Sequence, residues 1–492
     1  MRKLLTLVAV CILPLAAAAL AQTGAVKSAA DTLGAANIKT LQFTASGANF
    51  SVGQNFTPAE PWPRVTVKSY TALINYDTGS MRQELVREMG TTMPRGGGAP
   101  FTGEQRQVQV VSGNFAWNMA APAQAGGAPQ AAPAPANAVE RMLGVWATPQ
   151  GFVKAATTNN ATTKKAKGGT EVSFTVDGKY KMTGLINGKN EVERVQTWID
   201  QPIVGDMLVE TVYSDYKDFS GVRFPSHIVQ SQDGYPSLDL TVASVMANPA
   251  ADITVPDNVR TAQPAPVRVD SAAVAEGVYY LTGGTHHSLA IEMKDHIVLV
   301  DTPQTGQRAL AVVAKAKEVI PNKPIRYVVT SHHHWDHLGG IRAAIDEGAT
   351  IVTHQSNKAF LERVAKTPHT INPDRLAVSK KPLKIQTVGA KSVLTDGTRT
   401  VELHLLTNYE HTGDMLVVYL PKEKILAEPD AFTPPATPTT ALVVTAVPYA
   451  AALYDNIQRL KLDVQTIVPF HGARTSNVAE LGKSAGKAPA AN

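Results

Sequence analysis

Ser331-His332-His333-His334-Trp335-Asp336-His337-Leu338-Gly339-Gly340 decides the reading of this chain. It follows the apolar run Ile325 to Thr330, which reads as a buried strand, and precedes a helix expected to open near the glycine pair. Imidazole and carboxylate are the usual nitrogen and oxygen donors for zinc, and a strand-to-helix turn splays neighbouring side chains in different directions. His332 and His334 alternate to one side and can share a metal, while Asp336 and His337 turn toward a second. Twelve of the thirteen histidines lie at or beyond His286, so this chemistry belongs to the second half of the chain.

Three more candidate ligands follow the same logic. His411 comes just after the strand predicted for Val401 to Leu406, Asp430 after Lys424 to Ala427, and His471 after Gln465 to Pro469. Each falls at a strand end, where open α/β sheets gather their active sites. Strands alternate with helices from Val278 to Val468, with a helix expected over Arg308 to Val319, which is the pattern of a sheet covered by helices.

The first half reads differently. Residues 22–265 carry short alternating runs separated by Asp-Gly and Asn-Gly turns, as at Asp177-Gly178 and Asn187-Gly188, and predict a mostly antiparallel β domain. Two Ala/Pro/Gly-rich inserts, 95–103 and 120–138, are expected to be flexible surface loops. Val139 to Ala156 has helical spacing broken near Pro149, and Asn248 to Val267 reads as the interdomain connection. Residues 476–492 are expected to form a flexible tail.

Composition narrows the function classes. Arg2 and Lys3, the apolar run Leu4 to Leu20 and Ala19-Leu20-Ala21 predict an export signal over residues 1–21, and so a periplasmic or secreted protein with no stable membrane anchor. The single cysteine, Cys11, lies within that signal, which excludes disulfides, thiolate ligands and a thiol nucleophile from the mature chain. Loss of Arg2 and Lys3 takes the formal charge from +5 to +3, and no basic run interleaved with aromatics occurs, so a small-molecule substrate is expected rather than nucleic acid.

The order His-x-His-x-Asp-His, lone His, Asp after a strand, and final His-Gly resembles the metallo-β-lactamase superfamily over residues 275–475. The resemblance implies an α+β, αββα fold, a two-sheet sandwich flanked by helices. It also implies one zinc on His332, His334 and His411 and a second on Asp336, His337 and His471, bridged by Asp430. Asp301, closing the strand Ile297 to Val300, matches the acidic residue that supports such a cluster. Members with a cysteine ligand are excluded, and His334 stands where flavodiiron relatives place a glutamate. Pro429, before Asp430, occupies a position where a small residue is expected and predicts a displaced bridge. Separately, Tyr216 to Val229 resembles the late strands of periplasmic lipoprotein-carrier half-barrels, with a β-sandwich as the alternative.

The activity implied is attack by a metal-activated hydroxide, oriented by Asp336, on an ester, lactone, thioester or β-lactam. Iron-dependent persulfide dioxygenase chemistry shares the scaffold and is the alternative, with iron in place of zinc. A lipid or hydrophobic-ligand carrier working through the N-terminal domain is a further one. His286 and His287, after Gly283-Gly284, lie in a loop that the resemblance places beside the cleft and read as a surface pair, with substrate binding as the alternative. His333 is expected to face away from the metals, and Trp335 to pack the site wall.

Overall fold

A computed structural model describes residues 24–90, 95–98, 100–120, 127–437, 448–472 and 474–487. The expected export signal lies outside the described residues. No helix among them is long and apolar enough to cross a membrane.

The N-terminal region is one antiparallel sheet of thirteen strands. Strand Thr40–Phe50 lies in its middle, paired on one side with Arg64–Asn75 and on the other with Tyr235–Ala247. From that centre two meanders run outward to the edges Gln130–Pro133 and Thr162–Ala166. The tight turns are made where the sequence placed them, with Asp177 and Gly178 both at positive φ, as such hairpins require. The strands form a single continuous sheet, where the sandwich alternative would have two.

Helices Ala138–Ala147 and Pro149–Thr158 connect the two edges and pack on the sheet. Pro149 separates them: it takes the first helical position, behind the N-cap Thr148. Leu143, Val145, Phe152 and Val153 are fully buried with Phe43, Tyr70, Met182 and Phe224 of the strands. The cavity left between helices and sheet is about 70 Å³, well below the roughly 300–1,000 Å³ of small-molecule pockets. The sheet face under these helices is thus filled from within the chain, while a cleft of about 670 Å³ lined by Val26, Tyr76, Trp146 and Val153 opens beside the same helices.

Two expectations for this region are corrected. The insert 120–138 is not one loop, since Gln130–Pro133 adds an edge strand to Phe115–Ala120 and Pro135–Asn137 forms a 3₁₀ turn. Gly96 to Gly98 are not a free surface loop either, and their packing against the second half is described below.

The C-terminal region is a two-sheet sandwich. A seven-stranded sheet begins at Asp270–Ala275 and ends at Lys384–Val388, antiparallel at first and parallel from Ile297–Val300 onward. It faces a five-stranded sheet running from Lys391–Thr395 to Thr466–Pro469. Their facing sides interdigitate through Val298, Val329 and Val352 of one and Leu403, Val418 and Val468 of the other. Helices Gly306–Val319 and Ile341–Glu347 cover the outside of the larger sheet. Pro448–Leu460 and Val478–Ser484 cover the smaller, with Leu453 and Leu481 buried. The expected tail from 476 therefore contributes a packed helix, because Leu481 gives it an apolar face to bury.

The two regions also share polar contacts. Arg363 makes a two-pronged pair with Asp233, both bonds 2.8 Å. Asp206 accepts hydrogen bonds from the backbone N–H groups of Thr370 and Ile371, at 2.9 and 3.0 Å, and from the Thr370 hydroxyl. Desolvation would raise the Asp206 carboxyl, but these donors outweigh it and hold it below its usual value of 3.8. Asp206→Ala is expected to cost about 1 kcal/mol, discounted for solvent exposure, read as a Tm lower by roughly 2 °C near neutral pH. The group is depressed in the folded state, so its contribution is present above pH 3.8 and is lost as the pH falls through the lower folded value. Thermal melts in which variant and wild type still differ undiminished in strong acid would count against this assignment.

Candidate metal centre

The seven ligand candidates converge at one edge of the sandwich. His332 and His334 extend from the end of strand Ile325–Val329, and the short helix Trp335–Leu338 then carries Asp336 and His337 around the turn. His411 stands between strands Thr400–Leu405 and Leu416–Leu420, Asp430 follows Ile425–Glu428, and His471 follows Thr466–Pro469. Strand ends hold these side chains because the strands themselves are locked in the apolar sandwich.

Two clusters result, each with donor atoms within 4.8 Å of one another: His332, His334, His411 and Asp430, and His286, Asp336, His337 and His471. Asp430 also reaches the second cluster. Its Oδ2 lies 2.7 Å from His411 Nε2 and 3.4 Å from His332 Nε2. Its Oδ1 lies 2.8 Å from both His337 Nε2 and His471 Nε2. Pro429 is buried, and Asp430 behind it reaches both clusters.

Hydrogen bonds on the outer nitrogens fix which ring atom faces inward. His334 Nε2–H donates to the Asn55 carbonyl at 2.8 Å and His411 Nδ1–H to the Gly97 carbonyl at 2.5 Å. Their inner nitrogens, 3.0 Å apart, therefore both present lone pairs. His337 Nδ1–H donates to Asp301 Oδ2 at 2.9 Å, which turns its Nε2 inward, 3.1 Å from His471 Nε2 and 2.8 Å from Asp430 Oδ1. Burial would lower this imidazole, but the carboxylates of Asp430, Asp301 and Asp336 outweigh it and raise the ring well above its usual pKa. His332 Nε2 and Asp430 Oδ1 are buried without a hydrogen-bond partner. Lone pairs directed at one another in a dry pocket repel, and divalent cations between them would relieve that repulsion. The residues present thus fit a pair of divalent metals.

The charges follow the same geometry. Burial lowers the His332 and His334 imidazoles below their usual value, and their neighbouring imidazoles lower them further, so both favour the neutral, metal-binding form. Burial would raise Asp430 and Asp336. The imidazoles around Asp430, and the His286 hydrogen bond to Asp336, outweigh this and keep both carboxylates ionised.

Asp301 acts where the sequence placed it. It takes a left-handed conformation, φ +59°, which an aspartate tolerates better than most residues. Its carboxylate accepts from Ser331 N–H and the Ser331 hydroxyl, both at 2.7 Å, and from His337. It thereby holds both the backbone entering the motif and one ligand within it. His333 faces away from the clusters and pairs with buried Asp414 at 2.9 Å, and Trp335 packs edge-on against Trp62.

Several contributors were missed or misread. His286 and His287 are not a surface pair. His286 Nε2 lies 3.1 Å from Asp336 Oδ2 and its ring centroid 4.1 Å from that of His471. His287 Nε2–H donates to the Gly472 carbonyl at 2.6 Å, steadying the turn that carries His471. The Gly283-Gly284 loop is the sequence signal for both, since it brings the following histidines to the edge where the strand ends gather. Gln54, Asn55 and Gly97 come from the N-terminal region, and no motif in their own sequence announces a metal centre.

These contacts require close backbone approach. Gly53, at φ +73°, leaves a built Cβ only 2.4 Å from the Trp335 ring, and at Gly96, φ +84°, a Cβ would lie 2.7 Å from the Gln54 carbonyl. Only glycine serves at either position. Gly96 N–H donates to the Glu410 carbonyl at 2.8 Å, and Gly413 N–H to the Phe56 carbonyl at 2.9 Å. The expected flexible insert is thus pinned at Glu410 and His411, and the Phe56 segment holds the residues that follow.

Residues 281–471 match the family model of the metallo-beta-lactamase superfamily. An (R)-specific secondary-alkylsulfatase from a Pseudomonas species is 46% identical over 57 residues, which is 12% of this chain and 9% of that protein. A linear primary-alkylsulfatase from Pseudomonas sp. (strain ATCC 19151) is 22% identical over 221 residues, 38% of this chain and 41% of that protein. The chain thus spans less than half the length of these curated relatives. Among solved structures, a metallo-beta-lactamase from Pontibacter korlensis is 20% identical, covering 44% of this chain and 98% of its own, with a TM-score of 0.34. The FIM-1 metallo-beta-lactamase from Pseudomonas aeruginosa, in a mono-zinc form, is 22% identical, covering 46% and 96%, with a TM-score of 0.33. Through residues 281–471, the C-terminal domain of this chain belongs to the metallo-beta-lactamase superfamily of hydrolases.

Proposed function

We propose that the protein is a zinc-dependent hydrolase with two metal ions per chain, one on His332, His334 and His411, the other on Asp336, His337 and His471, with Asp430 shared. The observation that carries this reading is the 3.0 Å approach of two imidazole lone pairs, on His334 and His411, whose opposite nitrogens already donate to carbonyl oxygens. Bound zinc supplies a Lewis acid and acidifies water, from a pKa of about 15.7 toward roughly 7.

The chain's own residues do the rest. Asp336, kept ionised beside His286, is placed to accept a hydrogen bond from the attacking water and aim it. Asp301 holds the His337 ring with its Nε2 facing the site. Trp335 packs against Trp62 and under Gly53, which fixes the helix that carries Asp336 and His337. The mature chain has no thiol, so no cysteine nucleophile takes part.

The substrate classes are a carboxylic ester, lactone, thioester or β-lactam. The two alkylsulfatase matches favour a second reading, cleavage of a sulfate ester. Purified zinc-loaded protein assayed against all five classes separates the readings, and absence of turnover on every one would reject hydrolysis of these bonds. Iron rather than zinc after expression in defined medium would favour the dioxygenase alternative.

Elemental analysis is expected to find about two zinc ions per chain, and no transition metal even after reconstitution would sink the metal reading. His334→Ala should strip the first metal and His471→Ala only the second. Each should lower the rate by more than about 100-fold, beyond the 10–100-fold of a lost outer partner. Either variant retaining full metal and wild-type rate would remove that residue from the ligand set.

We also propose export with cleavage after Ala21. Mass spectrometry of the periplasmic fraction should find a chain beginning at Gln22, and an intact Met1 would exclude it.

A further inference from the structure

The segment between strands Thr40–Phe50 and Arg64–Asn75 leaves the N-terminal sheet and lies against the metal-ligand turn. Trp335 N–H donates to the Gly53 carbonyl at 3.2 Å, and one residue later Gln54 Nε2 donates to Asp336 Oδ1 at 2.8 Å. The other carboxylate oxygen, Oδ2, is the one turned to the second cluster, 3.1 Å from His286 Nε2 and 3.9 Å from His337 Nε2. The Asp336 backbone is held as well, its carbonyl accepting from Gln304 N–H at 2.8 Å.

A carboxylate at a metal site can offer one oxygen or both, and free rotation about its terminal torsion lets it change between them. An amide N–H bound to one oxygen removes that freedom. It leaves a single oxygen for the metal and keeps the carboxylate from swinging outward, which matters because Asp336 is only part-buried.

We propose that Gln54, supplied by the N-terminal domain, is a positioning residue that turns Asp336 Oδ2 toward the second metal and so sets the affinity of that site. The inference rests on the two-metal reading above. It adds a side-chain amide to the Asn55 and Gly97 carbonyls through which the N-terminal domain already holds two of the ligands.

The test is zinc titration of the full mature protein against a competing chelator, with cobalt substitution as a spectroscopic readout. Gln54→Met keeps the length and removes the donor, and Gln54→Glu keeps the shape and turns the donor into a like charge facing Asp336. Both are expected to weaken the second zinc by about 10–100-fold, the glutamate variant more, while the first is unchanged. The cobalt spectrum of the second site should shift, and the Tm of metal-free protein should stay within a degree or two. Equal weakening of both sites, or a fall in metal-free Tm without selectivity, would mark a merely structural contact and overturn the proposal. Variants that match a wild type holding two zinc ions would overturn it alone, whereas a wild type that takes up no zinc would sink the metal reading with it.

Discussion

The Asp430 carboxylate is the constraint on which the rest of the site depends. One oxygen faces His411 and His332, the other His337 and His471, so this single side chain spaces two groups of imidazoles. Imidazoles crowded at this distance disfavour one another, and the fold keeps them there because the elements behind them are fixed. Strand Ile425–Glu428, which delivers Asp430, is buried throughout between its two neighbours. The sandwich is therefore best understood as a rigid mount, with its apolar interior opposing the electrostatic cost at its edge.

Much of the fold and of the inner ligand set was legible in the sequence. His332, His334, Asp336 and His337 are close in the chain, and an apolar run before them gave away the strand that mounts them. His411, Asp430 and His471 each followed a recognisable strand end. Local pattern sufficed because each ligand's position is set by the element immediately before it. Hairpin turns such as Asp177-Gly178 were legible for the same reason.

What surrounds the ligands was not legible. Gln54 meets Asp336 across 282 positions and Gly97 meets His411 across 314, and nothing in either short segment marks its distant partner. The glycine-rich stretch at 96–98 has the composition of a free loop, yet its flexibility is what allows the backbone to approach His411. Composition reports what a segment could do alone; burial against another domain decides what it does here. Leu481 shows the same at the C-terminus, where a polar, alanine-rich stretch gains order from one apolar face.

The central pairing of the N-terminal sheet has a consequence for the order in which the molecule assembles. Leu41 pairs with Ala247 and Asn49 with Leu238, so the middle of the sheet closes only after some two hundred intervening residues have been made. Closing so long a loop makes this a late step in folding. The segment bearing Gln54 and Asn55 springs from that same strand, and it cannot be held in place until the closure is complete. The C-terminal sandwich, by contrast, is built largely from neighbours in sequence. When the full chain refolds, the inner ligands can thus be gathered by their own domain, while their outer hydrogen bonds must wait for Thr40–Phe50 and Tyr235–Ala247 to pair. The hydrogen-bonded surround of the centre is in this way complete only when both domains are folded.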